Sequence, residues 1–257
     1  MERLSRRCFL TGICAGATAL SLLGQNQGFC NGSIDPFDRF PEKIPGATEV
    51  KKYPVQCAKH CLVHIRQLHY SSHVLNDSRA LRKIELHQKE IYKILDYLRE
   101  RGIADSVYLE GVTPNSYEEF NSLDPEVYYV TAPLSMVLEG KFNPKLEDYE
   151  AYIRGWKELE ETDEVGVNCL DDREDSILRS VHNNPDYFSL VVFGGLHAWG
   201  GKKSCGESYP IMGRKSFRDN IYEWNNANPK DKISLIEVTP NRYPTFKVTD
   251  LLSFIRK

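Results

Sequence analysis

The apolar run at residues 188–193 constrains the fold of this chain more than any other stretch. Its sequence, Phe-Ser-Leu-Val-Val-Phe, has the length and the Val and Phe content of a strand covered on both faces. The run leads into Gly194 and Gly195, and His197 comes three residues after Gly194. Ligands of open α/β sheets bind beyond the carboxyl ends of the strands. We therefore expect His197 to face a cleft at that edge of a sheet.

Two earlier segments also predict strands that end in a chemically useful residue. Residues 61–69 form one strand that ends in His69, and residues 106–110 form another that ends in Glu110. Between them, apolar residues recur every three or four positions from 81 to 98, which predicts an amphipathic helix. A strand, a helix and a strand of this size form a parallel β-α-β unit.

Strands and helices continue to alternate along the rest of the chain. Residues 112–135 contain three prolines and predict a loop or lid with short helical pieces. Asp171 with Glu174 has the spacing of a capping box that opens a short helix. Periodic segments then predict further elements, namely helices at 148–161, 217–224 and 248–255 and a strand at 233–238. The predicted fold class is α/β, a three-layer α/β/α sandwich with a mainly parallel central sheet.

The N-terminus has the features of an export signal. Residues 5–10 read Ser-Arg-Arg-Cys-Phe-Leu, and an apolar stretch from 13 to 23 follows. The pattern resembles the twin-arginine (Tat) signal, which implies export by the Tat translocase to the periplasm or another extracytoplasmic location. A short membrane anchor that is never cleaved is the alternative. The cleavage point stays open, as does lipid attachment at Cys30.

We divide the chain into three parts on this basis. Residues 1–29 are the signal peptide, residues 30–56 form an irregular tether rich in proline, and residues 57–257 form a single α/β domain. The sequence carries 33 Lys and Arg against 36 Asp and Glu, and loss of residues 1–29 removes three arginines but one glutamate. An acidic mature chain gives no reason to expect nucleic acid as a partner.

The seven cysteines include five beyond the signal, an odd number that indicates a free thiol or an unpaired tail cysteine. Cys57 and Cys61 are not expected to bond to each other, because four residues of extended strand separate them by roughly 13 Å. With His60 and His64 they could mimic a metal cluster, but the spacing differs from that of zinc fingers. We expect them instead to be buried small apolar side chains.

The three strand ends point to one chemistry when taken together. His69, Glu110 and His197 supply two imidazoles and a carboxylate, the ligand type that holds Zn, Mn or non-haem Fe with open positions. Without a metal, the same groups serve as general acid and base. Alternatively, each side chain caps its strand by hydrogen bonding. Because the three strand ends are expected at one edge of the sheet, a shared functional site is favoured over three separate hydrogen-bonding caps.

The same residues carry a resemblance to a known superfamily. Gly194-Gly195-Leu196-His197 has a Gly-x-x-His motif after a late strand, and residues 107–111 match a strand that ends in glutamate. The chain resembles the superfamily of erythromycin esterase-like proteins, haem-binding ChaN lipoproteins and the TraB/Tiki group. Its early motif retains His69 but has Arg66 where glycine is usual. Residues 170–175 resemble a segment that carries a functional arginine in some members, which corresponds to Arg173.

The resemblance implies a function class but no single substrate. Tiki-like members are metal-dependent proteases, erythromycin esterases hydrolyse a lactone, and ChaN binds haem. We expect an exported metal-dependent hydrolase of a small molecule or peptide, in which Glu110 is catalytic and Arg173 stabilises anionic charge. The alternative is a haem or iron carrier that uses the same cleft, with ligands or stacking surfaces drawn from Tyr70, His73, Tyr108 and Trp199. A catalytically silent interaction domain is a third reading.

The twin arginines predict that export depends on Arg6 and Arg7. Replacing both residues by lysine, Arg6→Lys with Arg7→Lys, should strand the uncleaved precursor in the cytoplasm, because the Tat pathway reads the arginine pair. Immunoblots of cytoplasmic and periplasmic fractions measure the effect. Undiminished export of the double variant would contradict the Tat assignment.

Overall fold

A computed structural model of the chain describes residues 36–68, 78–114, 116–118, 131–151, 167–194 and 216–243. A 3-10 helix, Pro36–Arg39, comes first. The strands in these ranges are β1 Ala47–Tyr53, β2 His60–Gln67, β3 Ser106–Leu109, β4 Asn143–Lys145, β5 Phe188–Gly194 and β6 Ile233–Pro240. The helices with defined bounds are α1 Ser78–Glu100, α2 Ala132–Leu138, α3 Val167–His182 and α4 Phe217–Ala227. All of these elements belong to one compact unit, Ile34–Lys257.

The six strands of the described residues form one sheet in the order β1-β6-β2-β5-β3-β4. Every neighbouring pair is parallel except β1 and β6, which are antiparallel. Helices pack on this sheet. The predicted α/β class and the mainly parallel sheet are confirmed, and so is the parallel direction of β2, β3 and β5.

The register of the central strands brings three carboxyl ends together. Gln67 at the end of β2 is the partner of Gly194 at the end of β5. On the other side of β5, Leu109 at the end of β3 is the partner of Val192. The ends of β2, β5 and β3 are therefore neighbours at one edge of the sheet, with β5 in the middle.

The apolar stripe predicted for α1 is part of the larger of two buried clusters. Ile91, Ile94 and Leu95 of α1 are fully buried and pack in the cluster that contains Val63 and Ile65 of β2. Burial of each such side chain contributes about 1.5–3 kcal/mol relative to its exposed state. The helix ends where predicted, since Gly102 has a φ of +62° and its amide donates to the carbonyl of Arg99.

The second buried cluster joins the other two long helices to the sheet. Leu178 of α3 and Phe217 of α4 pack with Leu62 of β2 and with Val191 and Phe193 of β5. Val63 and Leu62 are consecutive in β2 yet belong to different clusters. This division follows from the two-residue repeat of a strand, in which successive side chains point in opposite directions.

The expectation of an irregular tether is wrong for residues 36–53. Phe37 and Phe40 are buried in the larger cluster, and β1 pairs antiparallel with β6 along Ala47–Tyr53. Glu49 and Lys51 form an exposed ion pair on this strand. Charged side chains are typical of edge strands, which need no apolar alternation on a covered face. Residues 48–52 of β1, Thr-Glu-Val-Lys-Lys, therefore lack the apolar pattern by which a strand is predicted from sequence.

The predicted start of the helix before β5 is also wrong. Helix α3 begins at Val167, so Asp171 lies inside it and does not cap it. Glu174 is fully buried and accepts a hydrogen bond of 2.6 Å from Asn220 Nδ2. A capping box does occur at α4, where Ser216 and Asp219 exchange their hydrogen bonds. Glu174 had the right spacing for a cap but is used in packing between helices.

Cys57 and Cys61 are not bonded to each other, as predicted, although the reason differs. Cys61 is a buried thiol of β2 that forms no disulfide, whereas Cys57 is exposed, lies in a turn with a φ of +58°, and is disulfide-bonded to another cysteine. The expectation of a buried apolar side chain holds for Cys61 and fails for Cys57. Within the described ranges, no three His, Cys, Asp or Glu side chains are grouped to hold a metal.

Several elements read from the sequence differ in extent or fall elsewhere. The segment predicted at 112–135 as a loop with short helical pieces runs into the short helix α2, which extends to Leu138, and β4 had no predicted counterpart. The terminal helix, the glycine-rich residues after β5 and most of the helix at 148–161 lie outside the described residues. Across the part of the chain that is described, no helix has the length and apolarity to cross a membrane.

A pair of histidine rings lies at the amino end of β2. The His60 and His182 ring centroids are 5.7 Å apart, and the His182 ring contacts Trp224 at 5.4 Å. Burial, together with the neighbouring His182, lowers the pKa of His60 below its ordinary value of 6.5, against the smaller opposite effects of the Asp186 backbone and of Asp231.

The lowered pKa of His60 predicts a stability that falls in acid. In the unfolded chain His60 protonates at its ordinary pKa of 6.5 and in the folded protein only below it. The free energy of unfolding is therefore highest above pH 6.5 and decreases as the pH falls through 6.5 toward the folded pKa. Urea unfolding at about pH 7.5 and about pH 5.5 should show a smaller decrease for His60→Gln than for the wild type. Equal decreases would contradict this role.

Candidate functional site

Glu110 follows the last residue of β3 at the edge where the parallel strands end. The next residue, Gly111, has a φ of +75°, a conformation that side chains rarely allow and that turns the chain away from the sheet. The Gly111 amide donates to Glu147 Oε1 at 2.7 Å. The turn after β3 thus fixes the position of one carboxylate and binds a second.

The Glu110 carboxylate connects the ends of two neighbouring strands. Its Oε2 accepts a short hydrogen bond from the amide of Gly194, the last residue of β5. Its Oε1 lies 3.6 Å from Arg173 Nη2 of helix α3. The side chain is 9 % exposed, so these contacts form in surroundings that screen charge poorly.

Glu147 is the nearer of the two carboxylates that the structure describes beside Arg173. Arg173 donates from Nε to Glu147 Oε2 at 2.9 Å and from Nη2 to Glu147 Oε1 at 2.6 Å. This two-bond geometry is the strongest form of the arginine–carboxylate pair. The Glu147 side chain is 4 % exposed and that of Arg173 is 13 % exposed. Arg173 also lies 5.9 Å from the centroid of the Phe193 ring.

We call these three residues, Glu110, Arg173 and Glu147, the strand-end cluster. With both carboxylates ionised its formal charge is −1, since one guanidinium faces two carboxylates. Carboxylates are oxygen donors of the kind that divalent metals bind in proteins. The strand-end cluster places two of them at the edge of the sheet.

Glu147 was missed in the sequence for a specific reason. It comes two residues after β4, so it ends a strand in the same way as Glu110 and His197. Strand β4 consists of Asn143, Pro144 and Lys145, which have no apolar alternation. Only the pairing of β4 with β3 makes this segment a strand and brings Glu147 to the site.

The structure brings together two of the four predicted site residues, Glu110 and Arg173. His69 and His197 lie outside the described residues. The strands that precede them end at Gln67 and Gly194, which are partners in the sheet. The backbone positions from which both histidine segments start are therefore adjacent.

Gln67 is a further residue of this edge that the sequence did not single out. It is 2 % exposed, and its buried Oε1 has no hydrogen-bond partner in the structure. A buried amide oxygen without a partner is costly and calls for water or an ion to complete it. Its only sequence signal was its place two residues before His69.

Arg66, which stands where the superfamily has glycine, does not join the strand-end cluster. Its Nη2 donates to Glu237 Oε2 at 3.1 Å, and the Tyr53 hydroxyl contacts the same oxygen at 3.3 Å. Burial, together with the charge of Glu237, raises the pKa of Tyr53. Arg66 therefore connects β2 to β6 and to the edge strand β1.

Tyr108 was considered as an iron ligand or stacking surface, and its surroundings argue against both roles. The side chain is 2 % exposed and belongs to the second buried cluster. Burial raises the pKa of its phenol, partly offset by hydrogen bonds with Ser180 and Ser189. Tyr70, His73 and Trp199 lie outside the described residues.

Comparison with known proteins adds no relative: no protein-family model, no curated protein and no solved structure matches this chain. The resemblance to the erythromycin esterase-like superfamily stays a prediction from short motifs.

Replacing Glu147 should destabilise the protein more than replacing an exposed glutamate. Glu147→Gln removes a buried charge that faces the partly buried Arg173, and we expect a loss of about 3 kcal/mol in the free energy of unfolding. The matched control is Glu49→Gln, whose exposed pair with Lys51 should contribute less than about 1 kcal/mol. Urea unfolding measures both. Similar small losses would mean that Glu147 does not stabilise Arg173.

Proposed function

We propose that this chain is an exported metal-dependent hydrolase, of esterase or peptidase type, whose site lies at the carboxyl edge of the sheet. One observation carries the proposal: β2, β5 and β3 are adjacent parallel strands, and the segments with His69, His197 and Glu110 leave from their neighbouring ends. Open α/β sheets bind their ligands at this edge.

The proposal includes a three-layer architecture. The two buried clusters contain alternate residues of β2, and α1 contributes to one cluster while α3 and α4 contribute to the other. We infer that helices cover both faces of the sheet and leave its carboxyl edge as the accessible rim. The export signal and the resemblance to the erythromycin esterase-like, ChaN and TraB/Tiki superfamily are part of the same proposal.

The donor chemistry of the edge fits a divalent metal such as Zn, Mn or Fe. Glu110 and Glu147 supply carboxylates, and Gln67 Oε1 is a buried oxygen without a hydrogen-bond partner among the described residues. In the proposal His69 and His197 complete the ligand set with two imidazoles. When bound, the metal supplies Lewis acidity that polarises a substrate carbonyl.

The remaining residues act on Glu110. The Gly194 amide holds one of its oxygens and Arg173 lies beside the other, so the carboxylate is oriented before any ligand arrives. Arg173 is itself fixed by the two hydrogen bonds that it donates to Glu147. We propose that Arg173 is first a positioning residue for Glu110. Its predicted role of stabilising anionic charge in the substrate stays a prediction.

The decisive experiment measures metal in protein purified from an exporting host. We expect about one equivalent of Zn, Mn or Fe per chain, and near-complete loss in His69→Ala, His197→Ala and Glu110→Gln, because each removes a ligand. The matched control is Glu237→Gln, a buried carboxylate with an arginine partner two strands away from β5. It should retain the metal. Hydrolysis of model esters and peptides should be lost in parallel.

Other outcomes would reject the proposal or replace it. A Soret band in the purified protein would favour the haem carrier over the hydrolase. Full metal content and full hydrolysis in His197→Ala would exclude the site. The two histidine variants guard against misfolding of Glu110→Gln, since far-ultraviolet circular dichroism and melting can establish that they fold.

A further inference from the structure

A cavity of about 680 Å³ opens at the amino edge of the sheet, opposite to the strand-end cluster. Its wall includes Phe188, the first residue of β5, and Asp105, which precedes the first residue of β3. It also includes the end of the 3-10 helix and the end of α1. The cavity is therefore built by segments that enter the sheet and shares no residue with the strand-end cluster.

Three arginines line this cavity: Arg39, Arg99 and Arg101. Arg39 and Arg101 are exposed, and neither forms an ion pair with a carboxylate in the part of the chain that the structure describes. The Arg101 guanidinium lies 3.7 Å from the centroid of the Tyr97 ring, a contact that restricts its position without neutralising it. Arg99 pairs with Asp96 at 3.1 Å, but its buried Nε has no hydrogen-bond partner.

The end of helix α1 does not account for these arginines. Cations commonly collect at a helix C-terminus because the last carbonyls lack partners. Here the amide of Gly102 donates to the Arg99 carbonyl at 2.8 Å, and the amide of Ile103 donates to the Leu98 carbonyl at 3.1 Å. Backbone groups thus satisfy these carbonyls, so the Arg101 guanidinium is not needed as their partner and remains available to a ligand.

Two carboxylates, those of Asp105 and Asp186, line the same cavity. Neither forms an ion pair with the three arginines. Groups of opposite charge that share a wall without pairing offer two kinds of contact. The guanidinium groups are donors for an anion, and the carboxylates are acceptors for hydroxyl groups.

We propose that this cavity binds a small molecule that carries both a phosphate group and hydroxyl groups, as a sugar phosphate does. Arginine forms two parallel hydrogen bonds with phosphate oxygens, which makes it the preferred residue for such recognition. A cavity of about 680 Å³ lies within the roughly 300–1,000 Å³ of small-molecule sites and exceeds the needs of a lone phosphate. The site is separate from the strand-end cluster, so it stands or falls independently of the proposed hydrolase.

Calorimetric titration at constant ionic strength tests this assignment, with ribose 5-phosphate, inorganic phosphate and ribose as probes. Ribose 5-phosphate should bind saturably below about 1 mM and more tightly than either of the other two. The Arg39→Gln/Arg101→Gln variant should weaken its binding by about tenfold or more, because both unpaired cations are removed. The Asp105→Asn/Asp186→Asn variant should bind ribose 5-phosphate more weakly than the wild type does, while its affinity for inorganic phosphate should be unchanged.

The control removes the same charge from the other end of helix α1. Arg82→Gln/Lys83→Gln changes two exposed cations outside the cavity wall and should leave the affinity unchanged. An equal loss of ribose 5-phosphate affinity in this control would mean that net charge alone explains the effect, and it would overturn the proposed site. Absence of saturable binding to the wild type up to about 10 mM would also overturn it. Equal affinities for ribose 5-phosphate and inorganic phosphate would reject the sugar phosphate class.

Discussion

Strand β5 is the element on which the rest of the structure depends. All seven of its residues are buried, and it pairs with β2 on one side and β3 on the other. A strand buried in this way needs hydrogen-bonding partners along both edges and apolar cover on its faces, because unpaired backbone groups are costly away from water. These needs are met by the two parallel neighbours and by the two buried clusters. The pairing of β5 with its neighbours fixes the position of Gly194, whose amide then donates a hydrogen bond to Glu110.

The strand-end cluster is a local departure from stable packing. Two carboxylates and one guanidinium are removed from water at the edge of an apolar core, although apolar residues of similar size would fill the space as well. Such an arrangement is retained where orientation of a charge matters more than stability. In the proposed function that charge is Glu110. Glu147 and the Gly194 amide then hold the geometry that the chemistry needs.

The two edges of the sheet present different charged groups. The carboxyl edge has the two carboxylates and the guanidinium of the strand-end cluster. The amino edge has a cavity lined by three arginines and two aspartates. Since β2, β5 and β3 run in one direction, connecting segments of different composition collect at each edge. In the two proposals made above, a single parallel sheet offers a separate ligand surface at each edge.

The sequence by itself determined the elements whose signal is local. The apolar stripe of α1, the buried run of β5 and the strand before Glu110 have periods that arise from burial of their own side chains, so they could be read without a partner. Tertiary structure alone decided the rest. Strands β1 and β4 exist because β6 and β3 supply their hydrogen bonds, and neither has an apolar pattern of its own. The same holds for the polar contacts Glu147–Arg173, Arg66–Glu237 and Glu174–Asn220. The fold determines which polar side chains meet, and no local sequence pattern encodes these partners.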